Sequence, residues 1–382
     1  MITTESIYKT KRICSLMITH ACNLNCVYCF EKYKNKGEKF MSFETAKMII
    51  LKEIDIFRKK HKDPMDRFAI EFFGGEPLLN FPLIKKIFEW VCTLDIDFPL
   101  MFQTTTNGTL FNKANLEWFT LHKNSFRVVV SIDGDQIMHQ TNRGCDNEKI
   151  PLEYIVNNWP NSYFKMTVSR ETLHSYAKGI IELTTRGYKV PSSLAEGVNW
   201  TWDDCYVYKE ELLKIASFYL SHPEYKPDQP FDYSFTKLLY NWKVPPRNCG
   251  VGVNVSIYDT DGKVYPCHLF LPIVTGEENV ENVIKSIDFE NDSTLIDEYC
   301  LKCPIRNICR TCYGYNQLER GGVKNRNMTK CKMQLVEAEV ISSFQIQYFL
   351  NKKSYLTKED KLNLKAALTC YKLVHNNKFD FQ

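Results

Sequence analysis

The chain has 382 residues, more than one small domain usually holds, so two or three packed units are expected. Hydrophobic residues make up 44% and charged residues 25%, with 49 basic against 45 acidic side chains and a formal net charge of +4. That balance excludes nucleic acid as the expected partner, which would call for a strong basic bias. No run approaches the roughly 18 to 20 apolar residues that span a bilayer, and residues 1–12 lack the apolar core of a signal peptide; the expected location is the cytoplasm, with no membrane partner.

In chain order the first half alternates strand and helix. Residues 13–19 (ICSLMIT) read as a buried strand, followed by a loop that carries Cys22, Cys26 and Cys29. A helix is predicted over about 42–60, capped by Ser42, with Ala46, Ile49, Ile50, Ile54 and Phe57 at helical spacing. The strand 67–73 ends in Gly74-Gly75-Glu76-Pro77, and a helix opens near Asn80 and Pro82. The strand 99–105 ends in Thr106-Asn107-Gly108, with Asn112 as the next helix cap; the strand 126–132 ends in Asp133-Gly134. The strand 163–169 ends at Arg170 and is followed by a helix closed by Gly187. A sixth strand is predicted at 194–200 and a helix over about 205–221.

Six strand–helix units in series imply an α/β fold with a parallel sheet and right-handed crossovers, a partial (β/α)6 barrel of the TIM type. Chemistry in such folds sits at the C-terminal ends of the strands, where the polar, glycine-rich tripeptides of this chain fall one after another. After 221 the prolines Pro223, Pro227, Pro230, Pro245 and Pro246 interrupt the pattern. The expected segments are therefore 1–221 as the barrel, 222–248 as a bridge, 249–350 as a cysteine-rich domain and 351–382 as a helical tail. A hairpin is predicted at 253–266, turning at Asp261-Gly262, and two helices at about 332–350 and 358–375.

There are 15 cysteines in a chain with no export signal. Cytosolic disulfides are rare, so clustered cysteines point to metal or redox chemistry. Cys14, Cys92, Cys145, Cys205 and Cys370 are scattered and read as small buried hydrophobes. The spacing Cys22-x3-Cys26-x2-Cys29 arises by chance about 0.02 times in a chain of this cysteine content. Three thiolates on one tight loop suit a cubane cluster, whose cysteine ligation normally takes four, so one iron is left without a protein ligand. The competing reading is a zinc site completed by His20.

The cysteine triplet, with the aromatic Tyr28 before its last member, resembles the signature of the radical S-adenosylmethionine (SAM) superfamily. The resemblance implies a 4Fe–4S cluster on Cys22, Cys26 and Cys29 that cleaves SAM to a 5′-deoxyadenosyl radical. The motif Gly74-Gly75-Glu76-Pro77 is similar to the family's segment that receives the methionine amino group, with Glu76 as acceptor. Asn107, Ser131 and Asp133 lie in stretches that resemble those contacting the ribose and carboxylate. Arg143 and Arg170 are candidate carboxylate partners, because guanidinium binds carboxylate in a bidentate fork.

The second group, Cys249, Cys267, Cys300-x2-Cys303-x5-Cys309-x2-Cys312 and Cys331, resembles the SPASM domain, a C-terminal extension of radical SAM enzymes that modify peptides or proteins. The resemblance implies two auxiliary 4Fe–4S clusters. Cys300, Cys303, Cys309 and Cys331 would hold one; Cys249, Cys267 and Cys312 would hold the other, with one iron a candidate for an open coordination position. Two residues precede Cys312 where the family usually has three, which sets this position apart. A zinc ribbon is the bland alternative, but its CxxC pairs are usually separated by about 15 to 20 residues, against five here.

The family resemblance implies an oxidoreductase taking electrons from a donor such as flavodoxin or ferredoxin. Two substrates compete: a ribosomally made precursor peptide, given a thioether or carbon–carbon crosslink, and a sulfatase whose Cys or Ser becomes formylglycine. Sulfatase-maturing enzymes typically carry an aspartate after the cysteine of the Tyr265-Pro266-Cys267 segment. Here it is His268, which favours the peptide maturase, with His268 either a catalytic base or a ring packed by the cluster. Twelve residues precede the first predicted strand, so leader recognition is expected to use the barrel mouth, the 222–248 segment or a separate protein. A third reading is a non-catalytic zinc-binding scaffold.

Overall fold

The computed structural model describes residues 1–34, 39–160, 162–242, 247–276, 280–352 and 356–376. Pro245 and Pro246, two of the prolines expected to mark a boundary, lie outside the described residues. The chain divides into two compact units that each draw on separate stretches of sequence. The first takes Met1–Ile132, Arg143–Lys165 and Gly250–Ile287, and the second Asp133–Asn142, Met166–Cys249 and Asp288–Gln382.

The first unit is built on β1 (Lys9–Thr19), β2 (Asp66–Gly74), β3 (Leu100–Thr106), β4 (Phe126–Ser131) and the start of β5 (Tyr163–Val168). These pair in parallel in the order β1-β2-β3-β4-β5. The helices between them form where expected. Ser42 accepts a hydrogen bond from the Thr45 N–H to open the helix Phe43–Lys60. Asn112 and Asn115 make a reciprocal capping box at the start of Lys113–Leu121.

Residues alternate across the pleat. Cys14, Leu16, Phe68, Ile70, Phe72 and Phe102 are fully buried on one face, where Phe57 and Phe88 of the covering helices meet Phe68 and Phe102 at 5.5 and 4.9 Å between ring centroids. The opposite face carries Ser15, Glu71 and Gln103 side by side in register.

The sheet does not end at β1. The predicted hairpin forms as β7 (Val255–Tyr258) and β8 (Val264–Tyr265), antiparallel to each other, with Gly262 in the turn at φ +86°. Strand β7 lies parallel to β1, Ile13 opposite Val255 and Leu16 opposite Tyr258. Residues Gly250–Ile287 therefore belong to the first unit's sheet, and Cys267 and His268 follow directly from it.

In the second unit the end of β5 pairs in parallel with β6 (Ser192–Leu194), Met166 opposite Ser192 and Val168 opposite Leu194. The sixth strand was expected at 194–200; it is instead Ser192–Leu194. Gly197 at φ +71° and the Trp200 indole donating to the Ala195 carbonyl at 3.0 Å turn the chain out of extended conformation. Helices Trp202–Ser221 and Met328–Asn351 meet through Tyr219, Phe231 and Phe344, and the helix Lys358–Asn376 lies against Met328–Asn351, with Cys370 Sγ at 3.8 Å from the Ala338 carbonyl. Among the described residues no helix is long and apolar enough to cross a membrane. The architecture is an open, mostly parallel α/β sheet with a cysteine-rich C-terminal region.

Candidate functional site

The three cysteines of the first group sit on the loop leaving the C-terminal end of β1. All three are part-buried and outside any disulfide. The loop is held from below by the glycines after β2. Gly75 donates to the Thr19 carbonyl at 3.1 Å, and Glu76 donates to the Ala21 carbonyl at 2.8 Å. A Cβ at Gly75 would lie 2.4 Å from the Ala21 oxygen and 2.9 Å from Cys22 Cβ, and one at Gly74 would lie 2.7 Å from the Thr19 oxygen. The Gly-Gly pair is thus demanded by close backbone approach, not by a turn.

Glu76 is buried and its carboxylate is engaged by its own chain. Thr106 Oγ1 and the Leu78 N–H donate to Oε1 at 2.6 and 3.1 Å, and the Asn107 N–H donates to Oε2 at 2.8 Å. Burial pushes this carboxyl above its usual value, against the opposing pull of those donors and of Arg143. Asn107 continues the chain of contacts: its side-chain NH2 donates to Asn23 Oδ1 at 2.9 Å, on the cysteine loop itself. The buried Arg143 guanidinium lies over the Tyr28 ring at 5.6 Å. The first unit therefore brings Cys22, Cys26, Cys29, Tyr28, Gly74, Gly75, Glu76, Asn107 and Arg143 to one rim.

His20, the fourth ligand that a zinc reading would need, has its Nε2 at 2.5 Å from Asp259 Oδ1, at the end of β7. That nitrogen is occupied. Two further groups lie close to the cysteines: the Glu31 Oε1 atom is buried with no hydrogen-bond partner among the described residues, and Lys34 acts on the Cys29 thiol. Burial pushes the Cys22 thiol up to about 11 and the Glu31 carboxyl up to about 8. Neutral thiols and an orphaned polar atom in one place fit a site completed by a charged group that draws the thiols to thiolates.

The other predicted residues fall in different surroundings. Asp133, fully buried in the second unit, accepts from the Thr167 N–H at 2.9 Å. Arg170 in that unit is held by Asp204 at 2.8 Å, so its charge is already paired. Ser131 ends β4 opposite Lys165.

His268 packs its ring on Phe73, 4.0 Å between centroids, and its Nε2 lies 3.1 Å from Ser15 Oγ. Burial, with Lys165 adding to it, lowers its pKa from 6.5 to about 3. The ring is neutral across the physiological range and is a weak proton acceptor. The linkage runs one way. Below about pH 6.5 the unfolded ring takes a proton that the folded ring refuses until about pH 3, so this contribution to stability is full above 6.5 and falls with acidification. Iron-free protein is expected to lose more Tm between pH 7.5 and 5.5 than its His268→Asn variant; equal losses would contradict the shift.

Ser15 and His268 belong to a polar row that the sequence reading passed over. Gln103 donates to Glu71 Oε1 at 2.9 Å; Glu71 is pushed up by burial and drawn back by Ser15, Gln103 and Lys165. Polar residues at alternate positions within RFAIEFF, LMFQTTT and YFKMTV were the available signal for a polar sheet face.

In the second unit Cys300, Cys303, Cys309 and Cys331 line one pocket of about 690 Å³ including its open mouth, walled by Tyr299, Ile305, Met328 and Leu335. Burial pushes the thiols of Cys300, Cys303 and Cys309 up to about 11 and that of Cys331 higher still. Asp297 accepts from the Cys300 N–H at 2.8 Å and pairs with Arg326. Among the described residues no three His, Cys, Asp or Glu side chains are drawn to the spacing of a single ion's ligands. Cys312 lines a neighbouring pocket with Tyr315 and Lys330. Cys249 belongs to the second unit and Cys267 to the first.

Residues 16–151 match the model of the radical SAM superfamily. The chain carries a radical SAM domain. Such a domain works with SAM and a 4Fe–4S cluster, and the cysteine loop, Tyr28, Glu76 and Arg143 all lie within the matched stretch. Over 188 residues the chain is 31% identical to the radical SAM cyclopropyl synthase TigE of Paramaledivibacter caminithermalis, covering 44% of this chain and 37% of that protein. Over 349 residues it is 23% identical to a cysteine-type anaerobic sulfatase-maturating enzyme of Clostridium perfringens, covering 78% and 87%. The first three curated relatives it matches are spanned over 38%, 37% and 66% of their lengths. Among solved structures, native anSMEcpe with bound AdoMet and a peptide aligns at a TM-score of 0.68 with 16% identity, covering 91% of this chain and all of that one; the likeness establishes the fold.

Proposed function

We propose that this chain is a radical SAM maturase that modifies a ribosomally made peptide by hydrogen abstraction, forming a thioether or carbon–carbon crosslink. The observation that carries the reading is the clamped loop of three part-buried cysteines beside Glu76, Asn107 and Arg143 at one sheet rim. A 4Fe–4S cluster with SAM supplies a 5′-deoxyadenosyl radical when bound. Cys22, Cys26 and Cys29 hold that cluster and leave one iron for SAM. Gly74 and Gly75 keep the loop close to the β2 end, and Glu76 fixes the Asn107 turn. Arg143 offers its charge to the SAM carboxylate, while Ser131 and Asp133 border the nucleoside.

Cys300, Cys303, Cys309 and Cys331 hold one auxiliary cluster in this proposal, and Cys249, Cys267 and Cys312 a second. Their role is to take an electron from the substrate or to bind its thiolate, and a flavodoxin- or ferredoxin-like donor reduces the enzyme in the cytoplasm, where thiols stay reduced. We assign 1–221 to radical generation, 249–350 to the auxiliary clusters and 222–248 to the bridge between those roles. The peptide substrate is supported by relatives that act on peptides or proteins. His268 enters as a neutral ring on the polar sheet face, presenting its remaining nitrogen to the substrate.

The second reading, conversion of a sulfatase Cys or Ser to formylglycine, is favoured by the coverage of the Clostridium perfringens relative, 87% of its length. The experiment that separates the readings is anaerobic purification, iron counting and mass spectrometry of co-expressed targets. The proposal expects about twelve irons per chain, three cubanes of four, and loss of two hydrogens from a short peptide encoded beside this gene. Formylglycine in a sulfatase peptide and no crosslink would replace it with the second reading. Zinc without iron would end both.

A further inference from the structure

We propose that the surface beside the pocket of Cys300, Cys303, Cys309 and Cys331 is the docking site of an acidic one-electron carrier protein, held by Tyr240, Trp242, Tyr299, Leu301, Lys302 and Arg306. The inference rests on the reading of those four cysteines as a cluster site.

The six side chains and the four cysteines all belong to the second unit. Tyr299 and Arg306 line the cysteine pocket itself, and Leu301 and Lys302 stand exposed between Cys300 and Cys303. The Arg306 guanidinium ties the bridging segment to them. Its Nη1 donates to the Leu301 carbonyl at 2.7 Å and its Nη2 to the Trp242 carbonyl at 3.1 Å. Asn307 Nδ2 adds a bond to the Tyr240 carbonyl at 3.4 Å, and the Tyr240 and Trp242 rings lie 6.0 Å apart. Tyr240, Trp242, Tyr299 and Leu301 are nonetheless 58, 40, 49 and 46% exposed. Single exposed apolar side chains need no explanation, but several joined at one pocket mark an interaction surface. Tyr, Trp and Arg are also the side chains that carry most binding energy at interfaces.

Charge selects the occupant. From Tyr299 to Leu318 the chain carries Lys302, Arg306 and Arg310 and no acidic residue. Arg310 is paired with Glu337, and Arg326 with Asp297. Arg306 gives its bonds to neutral carbonyls, and among the described residues the exposed Lys302 makes no ion pair. The patch is therefore cationic and complementary to an acidic partner. What it borders is a cysteine-lined pocket, so the partner it suits is one that exchanges electrons. Contacts of that kind are small, below about 1,200 Å², and charge steers them; a few apolar side chains with two cations match that scale. In the docked pair one electron passes from the reduced carrier to the oxidised cluster. The carrier loses it, the cluster gains it, and no bond forms or breaks.

The test uses the full-length chain, reconstituted anaerobically, with a recombinant bacterial flavodoxin and a recombinant ferredoxin as probes and calorimetry at low and high salt as the readout. Wild type is expected to bind at least one carrier, and more weakly as salt rises. Lys302→Glu and Tyr240→Ser should each raise the Kd by about tenfold. Both should keep their iron content and their 5′-deoxyadenosine formation when dithionite supplies the electrons, and Lys302→Arg should bind as wild type does. Lys226→Glu makes the same change of net charge at an exposed lysine outside the patch and should leave the Kd unchanged. Failure of wild type to bind either carrier, a Kd that neither patch substitution moves, or an equal loss in Lys226→Glu would overturn the proposal. So would a wild-type dimer that Tyr240→Ser dissociates, since the face would then belong to a second copy. The cluster reading fails on a different measurement: replacing all four cysteines with Ala would then leave the iron content unchanged.

Discussion

Replacing Cys22, Cys26 and Cys29 together with Ala is expected to abolish 5′-deoxyadenosine formation from SAM and to remove about four irons per chain, leaving Tm nearly unchanged. The fold survives because the loop is fixed by its neighbours rather than by its thiols. Gly75 and Glu76 bind the backbone at Thr19 and Ala21, and Asn107 binds Asn23; none of these contacts uses a sulfur. The thiols are part-buried and lie outside the apolar layer formed by Leu16, Ile70 and Phe72, so their removal opens no core cavity of the kind that costs 2–5 kcal/mol. Liquid chromatography of the anaerobic reaction against an iron assay and a thermal melt checks all three readouts. Undiminished 5′-deoxyadenosine would remove these cysteines from the radical source.

Much of the first unit could be read locally. Ser42 and Asn112 are cap residues with their partners three positions on, and both make the expected bonds. The polar tripeptides at strand ends marked the rim because a strand that stops at glycine and asparagine exposes backbone groups there. What could not be read was pairing between distant segments. Strand β7 aligns with β1 across some 240 residues of sequence, and no local pattern encodes a parallel partner. The same blindness hid Asp259, whose partner His20 lies 239 positions away. Glu53, a charged residue within the helix Phe43–Lys60, is 1% exposed. Charge in a helix pattern normally means solvent; here it means a buried partner on another strand. The short β6 was misplaced for a simpler reason, since Gly197 in a positive-φ conformation ends extended structure that the apolar pattern alone would continue.

Glu53 is where the second large effect is expected. The Arg12 guanidinium donates to Glu53 through Nε and through Nη2, the latter at 3.0 Å to Oε1, and Nη2 also reaches Ser256 Oγ at 2.9 Å. Arg12 Nη1 donates to the Val253 carbonyl at 3.3 Å, and the Tyr258 hydroxyl donates to Glu53 Oε1 at 2.7 Å. Burial works against the charge on Arg12, but the bidentate Glu53 outweighs it and holds the guanidinium charged. This clasp joins the helix Phe43–Lys60 and β1 to β7, and β7 carries Asp259 towards His20 and leads through β8 to Cys267 and His268. Removing the carboxylate leaves an uncompensated buried cation, which typically costs about 3–5 kcal/mol. Glu53→Leu should therefore lower the free energy of unfolding by that order in urea melts of the iron-free chain. Glu53→Gln keeps acceptor and donor groups and should cost less, and Arg12→Met combined with Glu53→Leu should recover part of the loss, because both buried charges are then gone. A Glu53→Leu protein as stable as wild type would mean that the clasp is not what seats β7. If it is, the variant should also lose protection of the β7 amides in hydrogen exchange before those of β2 and β3, which keep their own partners.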